Sequence, residues 1–171
     1  MTLRLLPACL LFACTLTHAA ENPVPQPVAE QVGRLVELLK DGFASGYPEA
    51  TQVQDLNVGT ADQLTLAVFT VEGFDKGNTY RQYIAAFTPS VTEDDQEHYT
   101  LVDVMHIGGD GWRAVETLDA KWVKDPAHKR ALIDIPVMEN ASGDSPNFPS
   151  QPGVIHLALI GEESKRFVEK D

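Results

Sequence analysis

Residues 99–118 read Tyr-Thr-Leu-Val-Asp-Val-Met-His-Ile-Gly-Gly-Asp-Gly-Trp-Arg-Ala-Val-Glu-Thr-Leu. Two stretches suited to strands, Tyr99 to Ile107 and Trp112 to Leu118, flank the turn residues Gly108 to Gly111, the strongest hairpin signal in the chain. A two-residue Gly109-Asp110 turn needs positive φ values, which glycine, aspartate and asparagine tolerate best. It predicts that Ile107 pairs with Trp112, His106 with Arg113, and Val104 with Val115. The two valines then face the core, with His106 and Arg113 near its rim. On the other face Asp103 meets Glu116, and two adjacent carboxylates disfavour double ionisation. That pair is the best clue to a site hidden in these strands.

The same pattern extends outward in both directions. Gln63 to Glu72 and Thr79 to Phe87 are rich in β-branched and aromatic residues and are joined by the turn 73–78. Lys121 to Lys124 and Lys129 to Met138 form a further pair around Asp125-Pro126-Ala127-His128, where a short helix with Pro126 at its first position competes. Pro136 cannot donate to a ladder, so its strand belongs at an edge or contains a bulge. Val154 to Ile160 closes the sheet, and 163–170 adds a half-buried segment. Before all of these, Val28, Val32, Leu35, Val36, Leu39 and Phe43 recur at helical spacing, which predicts one amphipathic helix over about 27–44. One helix and then strands give an α+β domain: an N-terminal amphipathic helix packed on an antiparallel meander, in two layers. No βαβ alternation or Gly-rich phosphate loop is present.

The first nineteen residues read as an export signal. Arg4 supplies the positive charge, Leu5 to Thr17 an apolar run, and Thr17-His18-Ala19 small residues at the positions a signal peptidase reads. The run is too short to cross a bilayer core of about 30 Å as a helix. Cleavage after Ala19 discards both cysteines, Cys9 and Cys14. The alternative treats Leu11-Phe12-Ala13-Cys14 as a lipobox and makes Cys14 a lipidated, membrane-anchoring residue. Against it stands the continuation of the apolar run past Cys14. The domain plan is therefore signal 1–19, a proline-rich leader over 20–27, and one domain over 28–171.

Of 171 residues, 152 remain after that cleavage, enough for one domain that needs no disulfide staple. Loss of Arg4 takes the net charge from −12 to −13. Such an excess repels phosphate backbones, so nucleic acid is not an expected partner, and no segment reaches transmembrane length.

Candidate chemistry is sparse. His98, His106, His128 and His156 lack metal-motif spacing, although a sheet brings distant residues together and His106 with His156, plus Asp103 or Asp134, is the combination to look for. The acidic run 93–97 lacks the alternation and glycine of a calcium loop. No G-x-S-x-G elbow occurs. No cofactor or resident metal is expected. Residues 121–130 form a basic island in an acidic chain; Trp122 and Lys124 are its candidate binding residues, against the plainer role of lysines that keep an edge strand from pairing.

The long loop from Asn140 to Gly153 is the other candidate, because aperiodic loops of that length are often functional. Three prolines stiffen it, and Phe148 is expected to be an apolar plug tucked against the sheet. Asp144-Ser145-Pro146-Asn147-Phe148-Pro149-Ser150 ahead of a final apolar strand resembles the D-A-x-C-C-P-S loop of small exported bacterial proteins, in which it likewise follows a G-G-x-G hairpin. Asn147 and Phe148 stand where that pattern has cysteines, so the resemblance implies export and fold but carries over no thiol chemistry and no activity. Asp144, Phe148 and Ser150 complete the candidate binding residues.

Together these features point to a periplasmic or secreted, non-enzymatic binding or envelope-accessory domain, its partner a protein or small molecule of the cell envelope. The alternative is a small periplasmic hydrolase or a metal-dependent protein.

Overall fold

Leu64-Thr-Leu-Ala-Val-Phe69 is buried at six successive positions, and that run sets the architecture. A strand with no wet face must be covered on both sides. The computed structural model, which describes residues 24–58, 62–125, 130–161 and 164–170, shows both covers. Helix α1 (Gln26–Leu39) packs Val28, Val32, Leu35 and Val36 on one side of the run, against Ala67, Phe69, Tyr83, Ala85 and Phe87. On the other side Leu64, Leu66, Val68 and Ile84 meet Ile133, Ile135, Ile155, Leu157 and Phe167 from the C-terminal strands.

Ten antiparallel strands are present among the described residues: β1 (Ser45–Gly46), β2 (Gln52–Val58), β3 (Asp62–Glu72), β4 (Tyr80–Val91), β5 (Glu97–Gly109), β6 (Arg113–Ala114), β7 (Lys121–Asp125), β8 (Arg130–Glu139), β9 (Gln151–Ile160) and β10 (Arg166–Lys170). Their order is β1-β3-β4-β5-β6-β8-β9-β10, with β2 also on β3 and β7 also on β8. The expected two-layer α+β meander is thus corrected. The molecule is mostly antiparallel sheet carrying a single helix, and the large sheet folds over so that its C-terminal half covers the inner face of its N-terminal half. The physical reason is the absence of period-2 polarity in β3 and β4, whose two apolar faces cannot both be served by one helix.

Helix α1 is also shorter than the apolar spacing predicts. It stops at Leu39, and the Asp41 carboxylate then accepts from the backbone N–H groups of Phe43 (2.8 Å) and Ala44 (2.7 Å). Phe43 consequently leaves the apolar stripe and is exposed.

The hairpin register differs from expectation. Gly109, not His106, pairs with Arg113, and Trp112 N–H donates to Gly109 O across a three-residue connection. Two irregularities in β5, opposite Gln82/Tyr83 and Ala86/Phe87, leave Ile107 and Val102 as extra residues. Each such bulge bends the strand and reverses which face the following residues occupy. Asp103 therefore accepts from the backbone N–H of Phe167 (2.6 Å) on β10, while Glu116 is exposed in the segment after β6. The carboxylate pair expected from the two-residue turn is not formed.

After Ala114 the chain leaves the ladder, yet its backbone is still paired by glutamines acting as substitute peptides. Gln82 Oε1 accepts from Val115 N–H (2.7 Å) and Gln82 Nε2 donates to Val115 O (3.1 Å). Gln52 on β2 takes Leu118 N–H (2.6 Å) and donates to Glu116 O (3.2 Å). Gln54 takes Ala120 N–H (2.7 Å) and donates to Ala120 O (2.9 Å). A primary amide carries one acceptor and donors in the geometry of a peptide unit, which lets these side chains close the seam between the two halves.

Pro136 lies mid-strand, neither at an edge nor at a bulge. On one side it is in register with Val154 of β9. On the other, β7 pairs with β8 only up to Asp134 and β6 begins at Met138, so Pro136 occupies the gap between two partners. The turn and helix alternatives at 126–129 lie outside the described residues, as does the signal segment.

Candidate ligand-binding cleft

Three local features converge at one end of β3, β4 and β5. The first is a file of rings running from core to surface: Phe69 stacks on Tyr83 (centroids 5.6 Å), and His106 meets Tyr83 (5.3 Å, 45° between planes) and Trp112 (5.4 Å, 59°) at tilted angles. The bulge at Ile107 puts His106 in this file, by aligning it with Tyr83. Gly108 and Gly109 permit the close approach, since a Cβ on either would fall 2.6 Å from Arg113 O or 2.7 Å from Tyr80 O. Trp112 remains 42% exposed, with the Arg113 guanidinium 4.0 Å from its ring.

The second feature is a strained turn. Gly73, Asp75 and Lys76 all have positive φ (89°, 55° and 59°). Consecutive non-glycine residues in that region are costly, and surrounding contacts must hold them. Asp41 does part of this by accepting from Asp75 N–H (2.8 Å), and that bond, followed by the one from Phe43, holds its carboxyl below the usual carboxylate range. Lys76 Nζ lies over the Phe43 ring (4.5 Å), and the Arg81 guanidinium over Phe74 (4.2 Å).

Between these two features opens a shallow cleft of about 260 Å3, with Phe74, Asp75, Tyr80, Arg81, His106, Asp110 and Trp112 among its walls. Burial, with the nearby charges of Arg81 and Arg113, pushes the His106 pKa down and favours a neutral imidazole, although a hydrogen bond with the Gly108 backbone opposes the shift. Burial and then the Asp110 charge push the Tyr80 phenol up, which keeps it a donor.

The third feature is the loop after β8. It spans 140–150, because Gln151 to Gly153 already belong to β9. Asp144 organises it: Oδ2 accepts from Ala141 N–H (2.8 Å) and Ser150 N–H (2.9 Å), and Oδ1 from the Ser150 hydroxyl (2.9 Å). The Ala141 bond first, then the Ser150 hydroxyl, lower its pKa. Asn140 Nδ2 donates to Pro146 O (3.0 Å), which also accepts from Gly111 N–H (2.9 Å), and Asn147 Nδ2 reaches Asn78 O (3.3 Å). The loop is thereby tied to both turns that border the cleft. Phe148, expected to be tucked in, instead stands 74% exposed at its crest.

The remaining candidates are placed as follows. Trp122 is half-buried against the core and Lys124 is exposed on the same strand. Trp122 is in register with Ile133, whereas the loop leaves β8 after Glu139. Six residues at about 3.3 Å each put the two roughly 20 Å apart, so Trp122 and Lys124 do not share a surface with Asp144, Phe148 and Ser150. His156 Nδ1 pairs with Asp134 Oδ1 (2.7 Å) across β8 and β9, while His106 belongs to the ring file on β5. Among the described residues no three His, Cys, Asp or Glu side chains gather as metal ligands. Sequence reasoning missed Arg81, Tyr80 and the 73–77 turn; the one signal was aromatic and charged residues crowded around Gly73 and Gly77.

A larger hollow of about 310 Å3 opens at the opposite end of the same strands, beside Asp55, Gln63, Glu97 and Tyr99. It lacks the strained turn and the file of rings, and Asp55 is already engaged by the Thr65 hydroxyl (2.6 Å).

No family model matches this chain, and neither a curated protein nor a solved structure is significantly similar to it.

Proposed function

We propose that this chain is an exported, non-enzymatic binding domain of the cell envelope that engages its partner at the Trp112–Phe148 end. The observation that carries the reading is Phe148: a phenyl ring held 74% exposed on a loop braced by Asp144, Asn140 and Asn147. An aromatic so placed contributes little to folding. Rigidly presented aromatics are the usual anchors of binding surfaces. Trp112, on the neighbouring turn, supplies a second anchor. No helix among the described residues is long and apolar enough to cross a membrane.

Two results are expected. Phe148→Ala changes the unfolding free energy by no more than the roughly 0.5 kcal/mol of ordinary surface changes, so the melting temperature stays close to that of the wild type. A photo-crosslinking residue at 148 gives a discrete adduct in envelope fractions that Trp112→Ala removes. A fall in melting temperature of several degrees without any adduct overturns the reading. Export is tested separately by intact mass, which is expected to start the mature chain at Ala20 or Glu21. Retained Met1 defeats it, and a diacylated Cys14 selects the lipoprotein form. Of the second reading, a small hydrolase is the form favoured by the Asp134–His156 pair, since a carboxylate-oriented imidazole is half of a proton-transfer unit.

A further inference from the structure

We infer that the cleft between the 73–79 turn and Trp112 is a site for a neutral sugar ring, so that the partner engaged at this end is a glycan. This rests on the reading of that end as the binding surface and names its ligand class. Size is the first argument. At about 260 Å3 the hollow falls below the roughly 300–1,000 Å3 of pockets that enclose drug-sized molecules, and it is open and shallow. It holds one ring of a longer chain, not a whole cofactor.

Chemistry is the second argument. The lining alternates aromatic surface (Phe74, Tyr80, Trp112) with groups of both charge signs (Asp75, Asp110, Arg81) and the imidazole of His106. A phosphate or carboxylate ligand meets two carboxylates against one guanidinium, and a cationic ligand meets Arg81. Neither sign is served. A polyol suits both, because each hydroxyl donates to a carboxylate and accepts from a guanidinium, phenol or imidazole N–H. Its C–H face needs an aromatic surface, and the exposed part of Trp112 (42%), a ring packed on Arg113 and His106, supplies one at the cleft wall.

Rigidity is the third argument. Arg81 is fixed over Phe74, and the Asp41–Asp75 bond holds the strained turn. Donors and acceptors locked in advance reduce the ordering cost of a ligand that gains little per contact.

The test uses the purified full-length protein on an array of bacterial-envelope and plant oligosaccharides, followed by calorimetric titration of the best binder into the wild type and each variant. Saturable binding is expected, lost in Trp112→Ala, retained in Trp112→Phe, and weakened at least tenfold in Asp110→Asn. Adenosine and inorganic phosphate are titrated in parallel and should give no saturable heat. Array binding no stronger than that of Trp112→Ala overturns the inference, as does saturation by adenosine or phosphate alone. A Phe148 adduct with a protein, without saccharide binding, sinks the glycan assignment and leaves the binding-surface reading intact; loss of both sinks both.

Discussion

Arg113→Ala is expected to destabilise the protein by about 3 kcal/mol and to lower its melting temperature by roughly 6–12 °C. Arg113 is a charged residue sealed in the interior, with 6% of its side chain exposed. Its Nη1 and Nη2 donate to the two Glu169 oxygens at 2.6 and 2.7 Å, and its Nε donates to Ile107 O at 2.6 Å. Removing the guanidinium strands a carboxylate and a carbonyl together. Breaking a buried pair from one side costs about 3–5 kcal/mol, and Glu169, one-third exposed, places this case at the lower end. Arg113→Lys keeps the charge but not the fork, so it should recover only part of the loss. A melting temperature within 2 °C of wild type for Arg113→Ala would show that the pair contributes nothing.

The same pair sets an acid limb. The Arg113 hydrogen bonds hold the Glu169 carboxyl below the usual range despite partial burial. A carboxyl depressed in the folded state adds stability that is complete above its unfolded value, about 4.3, and is lost as pH falls through the folded one. Urea midpoints should therefore decline below about pH 4, and Glu169→Gln should flatten that decline. Asp41 and Asp144, also depressed, act in the same direction and leave a residual slope.

Gln82→Leu is the second large effect, at about 2–4 kcal/mol. Leucine fills a similar volume but leaves both Val115 N–H and Val115 O without their partner in a buried seam. Each stranded backbone group costs about 1–3 kcal/mol. Gln82→Glu separates the two bonds: the carboxylate still accepts from Val115 N–H but cannot donate to Val115 O while ionised. Its loss should therefore be smaller at low pH, where the protonated acid donates again. Equal losses for the two variants at all pH values would mean that packing, not hydrogen bonding, makes Gln82 matter. Gln52 and Gln54 are nearer the surface, and single changes there should cost less, because water replaces the lost partner.

Much of the element map is legible in residue patterns. The strands at 63–72, 121–124 and 154–160 are marked by β-branched and aromatic content, and the helix by the spacing of Val28, Val32, Leu35 and Val36. The fold class was misread from the same residues. Leu64 to Phe69 is apolar at every position but Thr65, a pattern that demands cover on both faces, yet a one-helix meander offers only one. β2 was overlooked because Gln52, Gln54, Asp55 and Asn57 give it a polar composition. That polarity is accounted for by the seam with the segment 115–120, which nothing local reveals.

The candidate site was less legible still. The 140–153 loop was singled out by its length and prolines, but the outward stance of Phe148 depends on Asp144, Asn140 and Asn147 finding partners up to 69 positions away. The Gly109-Asp110 hairpin was read with a two-residue turn, whereas the connection is three residues long and β5 carries two bulges. One inserted residue reverses the facing of its neighbours, so His106 joins Tyr83 and Trp112 instead of pairing with Arg113, and Asp103 turns to Phe167. β-branched and aromatic content and a 3.6-residue apolar period are local properties of a chain, and they determined here where most strands and the helix form. Register, bulges and the burial of Arg113 depend on which surfaces meet, a choice among long-range pairings of similar local energy. Only the folded sheet made that choice.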